Sequence, residues 1–138
     1  MKYSKVFVLS VVGVMLLCSV AGAVESMWYF QIPHDYASNP FKAQKEWVGK
    51  EICIESKIVN MSMTDGGNPV IVFGQEDSGA KYDYVVYDFY FENVSEEIMS
   101  LEEGDYVKIS GRVHGFRKDT QGRINAVFID VYYPKIVK

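Results

Sequence analysis

Five side chains that can carry positive charge lie within twelve residues near the carboxyl end of the chain. They are Arg112, His114, Arg117, Lys118 and Arg123. Because clustered cations attract anions, this basic cluster predicts a site for a phosphate, a sugar acid or a short single strand. The alternative is a solvated hairpin, in which Asp119 already offsets part of the charge.

Aromatic side chains form a second candidate site. Residues 82–91 are rich in Tyr, Phe and Val, which predicts a strand whose side chains alternate between two faces. The face predicted to fill the core holds Val85, Tyr87, Phe89 and Phe91. The face predicted to point outward holds Tyr82, Tyr84 and Tyr90. Exposed tyrosines can stack bases or sugar rings. Alternatively, residues 24–36 lie across this face, and Trp28 and Phe30 are buried against it.

The sequence offers little support for catalysis. His34 and His114 are far apart and have no metal-type spacing to each other or to Cys53. Cys53 lies between two isoleucines of a predicted strand, without neighbours that would stabilise a thiolate. The acidic pairs at 96–97 and 102–103 are typical of solvated surface. We therefore predict no enzyme activity, no metal and no cofactor.

The first residues have the three regions of a secretory signal peptide. Two lysines precede an uncharged run over residues 6–24, and the small residues Ala21 and Ala23 suit a signal peptidase. We predict that residues 1–23 are removed by cleavage after Ala23. The protein is then expected in the periplasm, at the cell surface or outside the cell.

Two alternatives to cleavage stay open. One is an uncleaved anchor, because nineteen uncharged residues are just long enough to span a bilayer. The other is a lipoprotein modified at Cys18, although the bulky Leu17 precedes that cysteine where a small residue is expected.

The charge balance disfavours nucleic acid as a partner. The whole chain has a net charge of −4. Removal of the signal takes away two lysines and no acid, so the mature chain has 12 basic and 18 acidic residues and a net charge of −6. Proteins that bind phosphate backbones or anionic membranes usually carry a basic excess. After cleavage we expect no membrane association, and Cys53 is left without a second cysteine for an intramolecular disulfide.

The elements that must position these residues are mostly strands. A chain of 138 residues with 49% hydrophobic content predicts one domain. Strands are predicted over residues 51–59, 70–73, 82–91, 105–113 and 124–133. A helical turn from Ser95 to Leu101 separates the third strand from the fourth, and a polar hairpin loop over 115–123 precedes the fifth.

The segment before the first strand is predicted to be an arm over residues 24–47, followed by the barrel domain over 48–138. Residues 24–40 are expected to be irregular. A short helix is expected over 41–47, with Asn39 as its N-cap and a proline at the first helical position.

The order β-β-β-α-β-β is that of the OB-fold, a mainly β five-stranded Greek-key barrel. Two blocks carry a closer resemblance. They are Tyr36…Asn39…Ala43…Trp47-Val48-Gly49-Lys50 before the first strand, and LEEGDYVKISGRV over residues 101–113. Both are similar to the exported OB-fold proteins grouped as tRNA-anticodon-binding-like (tRNA_anti-like). Ser56 and Lys57 stand where members of that family often have a glycine.

The resemblance implies an OB barrel, and nucleic-acid binding by analogy of fold alone. Three hypotheses follow. The first is an exported, non-enzymatic OB-fold module that binds an unknown ligand or an envelope protein through strands two and three and the loops at 60–69 and 115–123. The second is an interaction domain whose barrel face is covered by its own N-terminal arm. The third is a protein that binds single-stranded nucleic acid.

Overall fold

The computed structural model describes residues 25–119 and 124–138. The predicted signal segment and Arg123 of the basic cluster therefore lie outside the described residues. The strands are β1 (Glu51–Met63), β2 (Pro69–Glu76), β3 (Tyr84–Tyr90), β4 (Tyr106–Lys118) and β5 (Ala126–Val137). The helices are α1 (Gln31–Ser38), α2 (Pro40–Trp47) and α3 (Glu96–Met99).

The strands close into a barrel in the order β1-β2-β3-β5-β4. The pairs are antiparallel except for β3 and β5, which run parallel. β1 pairs with two strands: residues 51–57 pair with β4, and residues 58–63 pair with β2. The pairing with β2 has a register shift between Ile58 and Asn60. Such an irregularity bends a strand and helps a sheet to close on itself. The predicted mainly β, five-stranded OB-fold barrel is confirmed.

Apolar and aromatic side chains fill the interior of the barrel. The alternation predicted for β3 is confirmed, because Val85, Tyr87 and Phe89 point inward and are fully buried. Phe73 of β2 packs edge-on against Phe89, with 4.9 Å between the ring centroids. The hydroxyl of Tyr87 donates a hydrogen bond to the carbonyl of Tyr29 at 2.7 Å, so its polar atom is satisfied within the core.

The N-terminal arm packs against this core and contains a helix that the sequence analysis did not predict. Residues 31–38 form α1, where an irregular segment was expected. Pro33 is tolerated because it lies in the first turn, where a helix needs no N–H from it. Ile32 and Tyr36 are buried on one face of α1, so tertiary packing stabilises a helix with weak local signals. Within the described residues, no helix has both the length and the apolar character needed to cross a bilayer.

The two helices that were expected are confirmed together with their caps. Asn39 accepts a hydrogen bond from the backbone N–H of Lys42 at 3.1 Å and begins α2. Ser95 accepts one from the N–H of Ile98 at 3.2 Å and begins α3. Both caps satisfy N–H groups that a helix start leaves without partners.

One strand boundary changes the description of the basic cluster. β4 was expected to end before Gly115, but it continues to Lys118, with Arg117 paired to Phe128 and Lys118 to Val127 of β5. Arg117 and Lys118 therefore lie on a strand, and the prediction that they belong to a loop was wrong. Pairing with β5 extends the strand, and this long-range contact leaves no local signal in a polar stretch.

Candidate functional site

Tyr82 does not point outward, so that prediction was wrong. It precedes β3, is 7% exposed, and packs against Tyr36 of α1 with 6.2 Å between the ring centroids. Burial raises the pKa of the Tyr82 hydroxyl. The alternation of β3 starts only at Tyr84, because residues 81–83 form a bend over which the arm packs. The covered-face hypothesis therefore holds at Tyr82.

Trp28 was expected to be buried with the arm, and it is 56% exposed. Tyr29 is the buried aromatic residue instead, and its hydroxyl donates to the carbonyl of Val85 at 2.8 Å. His34 of α1 lies 2.7 Å from the carboxylate of Asp77 between β2 and β3, which ties the arm to that connection. The arm thus packs on the barrel through Tyr29 rather than through Trp28.

Tyr84 lies on the outer side of β3, as predicted, and its half-buried ring lies against Gly74 of β2. A Cβ atom at Gly74 would lie 2.8 Å from the Tyr84 hydroxyl oxygen, so the missing side chain of Gly74 makes room for the ring. Tyr84 also borders an open cleft of about 560 Å³. Glu76 and Asp83 line the same cleft, and their carboxylates disfavour an anionic ligand there.

Arg117 connects three strands through an ionic clamp formed by Asp88, Arg117 and Asp130. Its Nε lies 2.8 Å from Oδ2 of Asp130, and its Nη2 lies 2.9 Å from Oδ1 of the same carboxylate. That nitrogen also donates to Oδ2 of Asp88 at 2.6 Å. The guanidinium lies over the ring of Phe128, 4.9 Å from its centroid. The bidentate geometry is the strong form of an arginine–carboxylate pair.

The ionic clamp carries two negative charges against one positive charge. Asp88 and Asp130 are directly paired across the parallel strands β3 and β5, and both are buried. Burial raises the pKa of Asp88 to about 6, and the nearby guanidinium of Arg117 only partly offsets this effect. The hydrogen bond to Asp130 raises the pKa of Arg117 further above its ordinary range. Arg117 is therefore already neutralised by the protein and makes a poor site for a ligand phosphate.

Tyr90 lies between the ionic clamp and a second cluster. Its hydroxyl is 3.4 Å from Oδ1 of Asp130, and its ring meets Tyr132 edge-on with 5.4 Å between the centroids. Burial, with the nearby carboxylates, raises the pKa of Tyr90 to about 12. Tyr90 is thus half-buried on the outer surface and keeps its proton at neutral pH.

The second cluster is the aromatic platform, formed by Arg112, His114, Tyr132 and Tyr133 on the outer side of β4 and β5. The rings of His114 and Tyr132 are stacked with their planes 3° apart and their centroids 4.0 Å apart. Arg112 lies over the ring of Tyr133 at 5.7 Å. Both tyrosines are solvent-exposed, Tyr132 at 36% and Tyr133 at 57%. The platform therefore presents flat rings and two groups capable of positive charge to solvent.

A β-bulge presents Tyr133. Ser110 pairs with Lys135 and Arg112 pairs with Tyr132, so β5 holds one more residue than β4 between the two pairs. Tyr133 takes the left-handed conformation, with φ of 54°. Opposite the bulge, a Cβ atom at Gly111 would lie 2.5 Å from Cγ1 of Val131, so only glycine fits without a shift.

The comparisons with known proteins agree with this architecture. The tRNA_anti-like family model matches residues 27–121. The chain belongs to the tRNA_anti-like family. A crystal structure of a presumed nucleic acid-binding lipoprotein from Klebsiella pneumoniae is similar, with a TM-score of 0.59 and 22% identity over 87% of this chain and 96% of that one. This likeness shows a shared fold.

A structure of the Plasmodium falciparum SSB with ssDNA is also similar, with 20% identity over 63% of this chain and 91% of that one. Its TM-score of 0.40 is too low to establish a common fold. No curated protein matches the sequence. The tRNA_anti-like protein is therefore an OB-fold domain.

The structure divides the eight candidate residues of this tRNA_anti-like protein between different surroundings. Arg112 and His114 meet in the aromatic platform, and Tyr90 reaches it through Tyr132. Arg117 belongs to the ionic clamp, whereas Lys118 is exposed at the end of β4. Tyr82 and Tyr84 lie towards the arm and the acidic cleft, and Arg123 is outside the described residues.

Four residues of these two clusters were missed by the sequence analysis. They are Asp88, Asp130, Tyr132 and Tyr133. A signal was present for the two aspartates, because each stands alone inside an apolar strand, and buried charges in strands are usually paired.

For the metal prediction, residues 25–119 and 124–138 contain no group of three His, Cys, Asp or Glu side chains placed to hold an ion.

Proposed function

We propose that this tRNA_anti-like protein is an exported, non-enzymatic module that binds its ligand on the outside of its barrel. The observation that carries the proposal is the aromatic platform, where Tyr132 and His114 are stacked and yet open to solvent. Exposed rings on rigid strands can stack with a flat ligand at little cost in side-chain entropy. The barrel interior is occupied by its own side chains, such as Tyr87 and Phe89.

The outer side of β4 and β5 is a better contact surface than the outer side of β2 and β3 that the sequence indicated. The outer side of β2 and β3 offers no cation of its own. Its residues are Val70, Val72, Gly74 and Val86, the half-buried rings of Tyr84 and Tyr90, and the acids Glu76 and Asp88. The arginine that reaches β3, Arg117, is held by two carboxylates. The platform instead combines rings with Arg112.

Export is supported by the signal-like residues 1–23 and by the similar Klebsiella protein, which is named as a lipoprotein. The test is mass spectrometry of the protein recovered from its own host or a close relative. Cleavage after Ala23 gives a chain that begins at Val24. An intact N-terminus indicates an anchor, and a lipid on Cys18 indicates a lipoprotein. Recovery of the uncleaved chain from the cytoplasm contradicts export.

Single-stranded nucleic acid is the second candidate function. The stacked rings beside Arg112 favour it, and so does the name of the Klebsiella protein, which includes nucleic-acid binding. The net charge of −6 after cleavage and the neutralised Arg117 count against it. A strand held through its phosphates must lose affinity steeply as salt is added, whereas a stacked neutral sugar need not.

The binding experiment follows the platform residues by NMR while the protein is titrated with single-stranded oligonucleotides and, separately, with neutral oligosaccharides, each at low and moderate salt. We expect saturable shifts of Tyr132 and His114 with one of these ligands. Tyr132→Ala combined with His114→Ala should abolish that binding. Trp28→Ala, which removes an exposed ring from the arm, is the matched control and should leave it unchanged. Binding that survives loss of the platform overturns the proposal.

A further inference from the structure

Tyr133 is held in a conformation that its side chain disfavours. Its φ of 54° is the one positive φ of a non-glycine residue among residues 25–119 and 124–138. The left-handed region strains a bulky side chain, and such strain persists where the surrounding structure imposes it. The ring is 57% exposed, so its burial gives little in return. The fold therefore maintains a strained aromatic ring that faces solvent.

The same ring borders a groove of about 350 Å³ between residues 91–98 and the end of β5. This volume lies near the lower end of the range of small-ligand sites, so the groove suits one small unit rather than a large cofactor. Phe91 and Ile136 supply further apolar surface. Arg112 lies over the ring of Tyr133 but does not line the groove. The side chains of the groove itself therefore decide which ligand fits.

The charged groups of the groove balance one another. Its lining holds the carboxylates of Glu92 and Glu97 and the ammonium of Lys135. Glu97 is paired with Nζ of Lys138 at 3.0 Å, whereas Glu92 forms no ion pair within the described part of the chain. Two acids thus stand against two lysines. The groove has no excess charge that would attract an anion or a cation, so it favours an uncharged ligand.

The polar groups of the groove are suited to bind hydroxyl groups. The Glu92 carboxylate accepts hydrogen bonds, the Lys135 ammonium donates them, and the Asn93 amide does both. The Ser95 hydroxyl accepts from the N–H of Ile98 at 3.2 Å and keeps its own hydrogen to donate. Glu92, Asn93 and Ser95 are all exposed, so a ligand can reach them. Donors and acceptors therefore lie together beside one aromatic ring.

We propose that this groove binds a neutral sugar as a single pyranose unit. An apolar C–H face of the sugar ring packs on Tyr133, and the hydroxyl groups at its edge bond to Glu92, Asn93 and Lys135. The inference rests on the proposed function in that the ligand lies outside the barrel. It deepens that function, because it names the ligand class and extends the contact surface from the platform into the groove. A free glycoside and one unit of an oligosaccharide share this chemistry.

The experiment is an NMR titration of the protein with the methyl glycosides of glucose, galactose, N-acetylglucosamine, glucosamine and glucuronic acid, and with cellobiose. A neutral ligand of about thirteen non-hydrogen atoms is expected to bind with a Kd on the order of 1 mM. We expect at least one neutral glycoside to do so, and the glucuronide to bind ~5-fold more weakly than the glucoside, because Glu92 repels its carboxylate. A disaccharide that binds much more tightly than the glucoside identifies an oligosaccharide as the ligand, and equal affinities identify a free glycoside.

Variants of Tyr133 test the stacking. Tyr133→Gly removes the ring and relieves the backbone, so a folding failure is not expected. It should weaken binding of the neutral glycoside ~10-fold, whereas Tyr133→Phe should keep it, because the face of the ring is retained. Tyr106→Ala removes a tyrosine that is 71% exposed but lies outside the groove, and this matched control should leave binding unchanged.

Variants of the polar groups test the groove without touching the strained residue. Asn93→Ala should weaken binding of the neutral glycoside ~3-fold or more, because it removes a hydrogen-bonding partner. Glu92→Gln should reduce the preference for the glucoside over the glucuronide, because the repulsive charge is lost. Glu96→Gln changes the same charge on the same segment, but Glu96 does not line the groove, so this control should leave the preference unchanged.

Three results overturn the inference. The first is the absence of binding of every neutral glycoside at ~10 mM, ten times the expected Kd. The second is binding that neither Tyr133→Gly nor Asn93→Ala weakens. The third is binding of the glucosamine glycoside alone, which would make the groove a cation site.

The same titrations separate this inference from the proposed function. If no glycoside occupies the groove but another ligand binds through Tyr132 and His114, the sugar site is wrong and the proposed function stands. If a glycoside binds through Tyr133 while loss of Tyr132 and His114 affects no ligand, the sugar site stands and the platform is not the contact surface.

Discussion

Two arginines on β4, five residues apart, occupy very different surroundings. Arg117 lies 4.9 Å from the ring of Phe128, and Arg112 lies 5.7 Å from the ring of Tyr133, so each is placed over an aromatic side chain of β5. Arg117 also donates to two buried carboxylates, whereas Arg112 forms no ion pair with a carboxylate among residues 25–119 and 124–138, although Glu51 of β1 lies opposite it in the strand register. On the same strand, Arg117 stabilises the fold through the ionic clamp, whereas Arg112 is available to a ligand in the aromatic platform.

The partners on β3 and β5 decide whether a cation on β4 is held in an ion pair or stays available to a ligand. The ionic clamp joins the consecutive strands β3, β5 and β4 of the barrel through Asp88, Asp130 and Arg117. β5 pairs with β3 as far as Tyr132 and forms its bulge against β4 directly after that residue. The aromatic platform lies at this position. A basic cluster in the sequence therefore contains both a structural cation and a cation suited to a ligand.

Removal of the clamp arginine should have the largest effect on stability. Arg117→Met leaves two buried carboxylates side by side, and because the Arg117 side chain is itself half-exposed, solvent screens part of the loss, so the free energy of unfolding should fall by about 1–2 kcal/mol. Urea unfolding measures it. Lys118→Met, the exposed neighbour on the same strand, is the control and should change stability by less than about 0.5 kcal/mol. If the two substitutions lower the free energy of unfolding equally, Arg117 stabilises the fold no more than an exposed residue does.

The ionic clamp should also give stability a dependence on pH. The pKa of Asp88 is raised from 3.8 to about 6 in the folded protein, so between these values the folded state holds a proton that the unfolded state has released. Stability from this group is therefore gained as pH falls from 7 to 5 and lost as pH rises again, by about 1 kcal/mol.

The measurement is urea unfolding of the natural protein and of Asp88→Asn at several pH values. Carboxylates that do not contact Asp88 contribute equally to both proteins, so the unfolding free energy of the natural protein minus that of Asp88→Asn reports the titration of Asp88 together with its coupling to Asp130. We expect the unfolding free energy of the natural protein minus that of Asp88→Asn to rise by about 1 kcal/mol on acidification from pH 7 to 5. A constant difference would show that burial does not raise the pKa of Asp88.

The strain at Tyr133 provides a smaller effect. Tyr133→Ala and Tyr133→Gly both remove the ring, but only alanine keeps a side chain at a φ of 54°. The glycine variant should therefore be the more stable of the two by about 1 kcal/mol, as measured by thermal or urea unfolding. If the alanine variant is as stable as the glycine variant, the left-handed conformation carries no strain.

The platform arginine should have the smallest effect on stability. Arg112 is exposed and lies over a ring that is itself exposed, so Arg112→Met should change the free energy of unfolding by less than about 0.5 kcal/mol. The same unfolding experiment as for Arg117→Met gives a direct comparison. A loss as large as that at Arg117 would mean that both arginines serve the fold.

Local patterns were sufficient for much of the fold. Alternation identified the inward residues of β3, and the sequence rules for helix starts identified the caps Asn39 and Ser95. The same rules missed α1, because its stability comes from the burial of Ile32 and Tyr36 rather than from propensity. They also ended β4 too early, because pairing with β5 carries it through to Lys118.

The sequence by itself determined the class of this protein and the chemical groups available to it. A strand order read from period-two alternation, turn residues and two family-like blocks was enough to specify an OB barrel, because these signals depend on near neighbours in the chain. Only the tertiary structure decided which groups act together. Arg117 meets Asp88 and Asp130, and Arg112 meets Tyr133, through contacts between distant strands. Whether a charge is neutralised or presented depends on what lies opposite it in the folded barrel, and local sequence does not encode that.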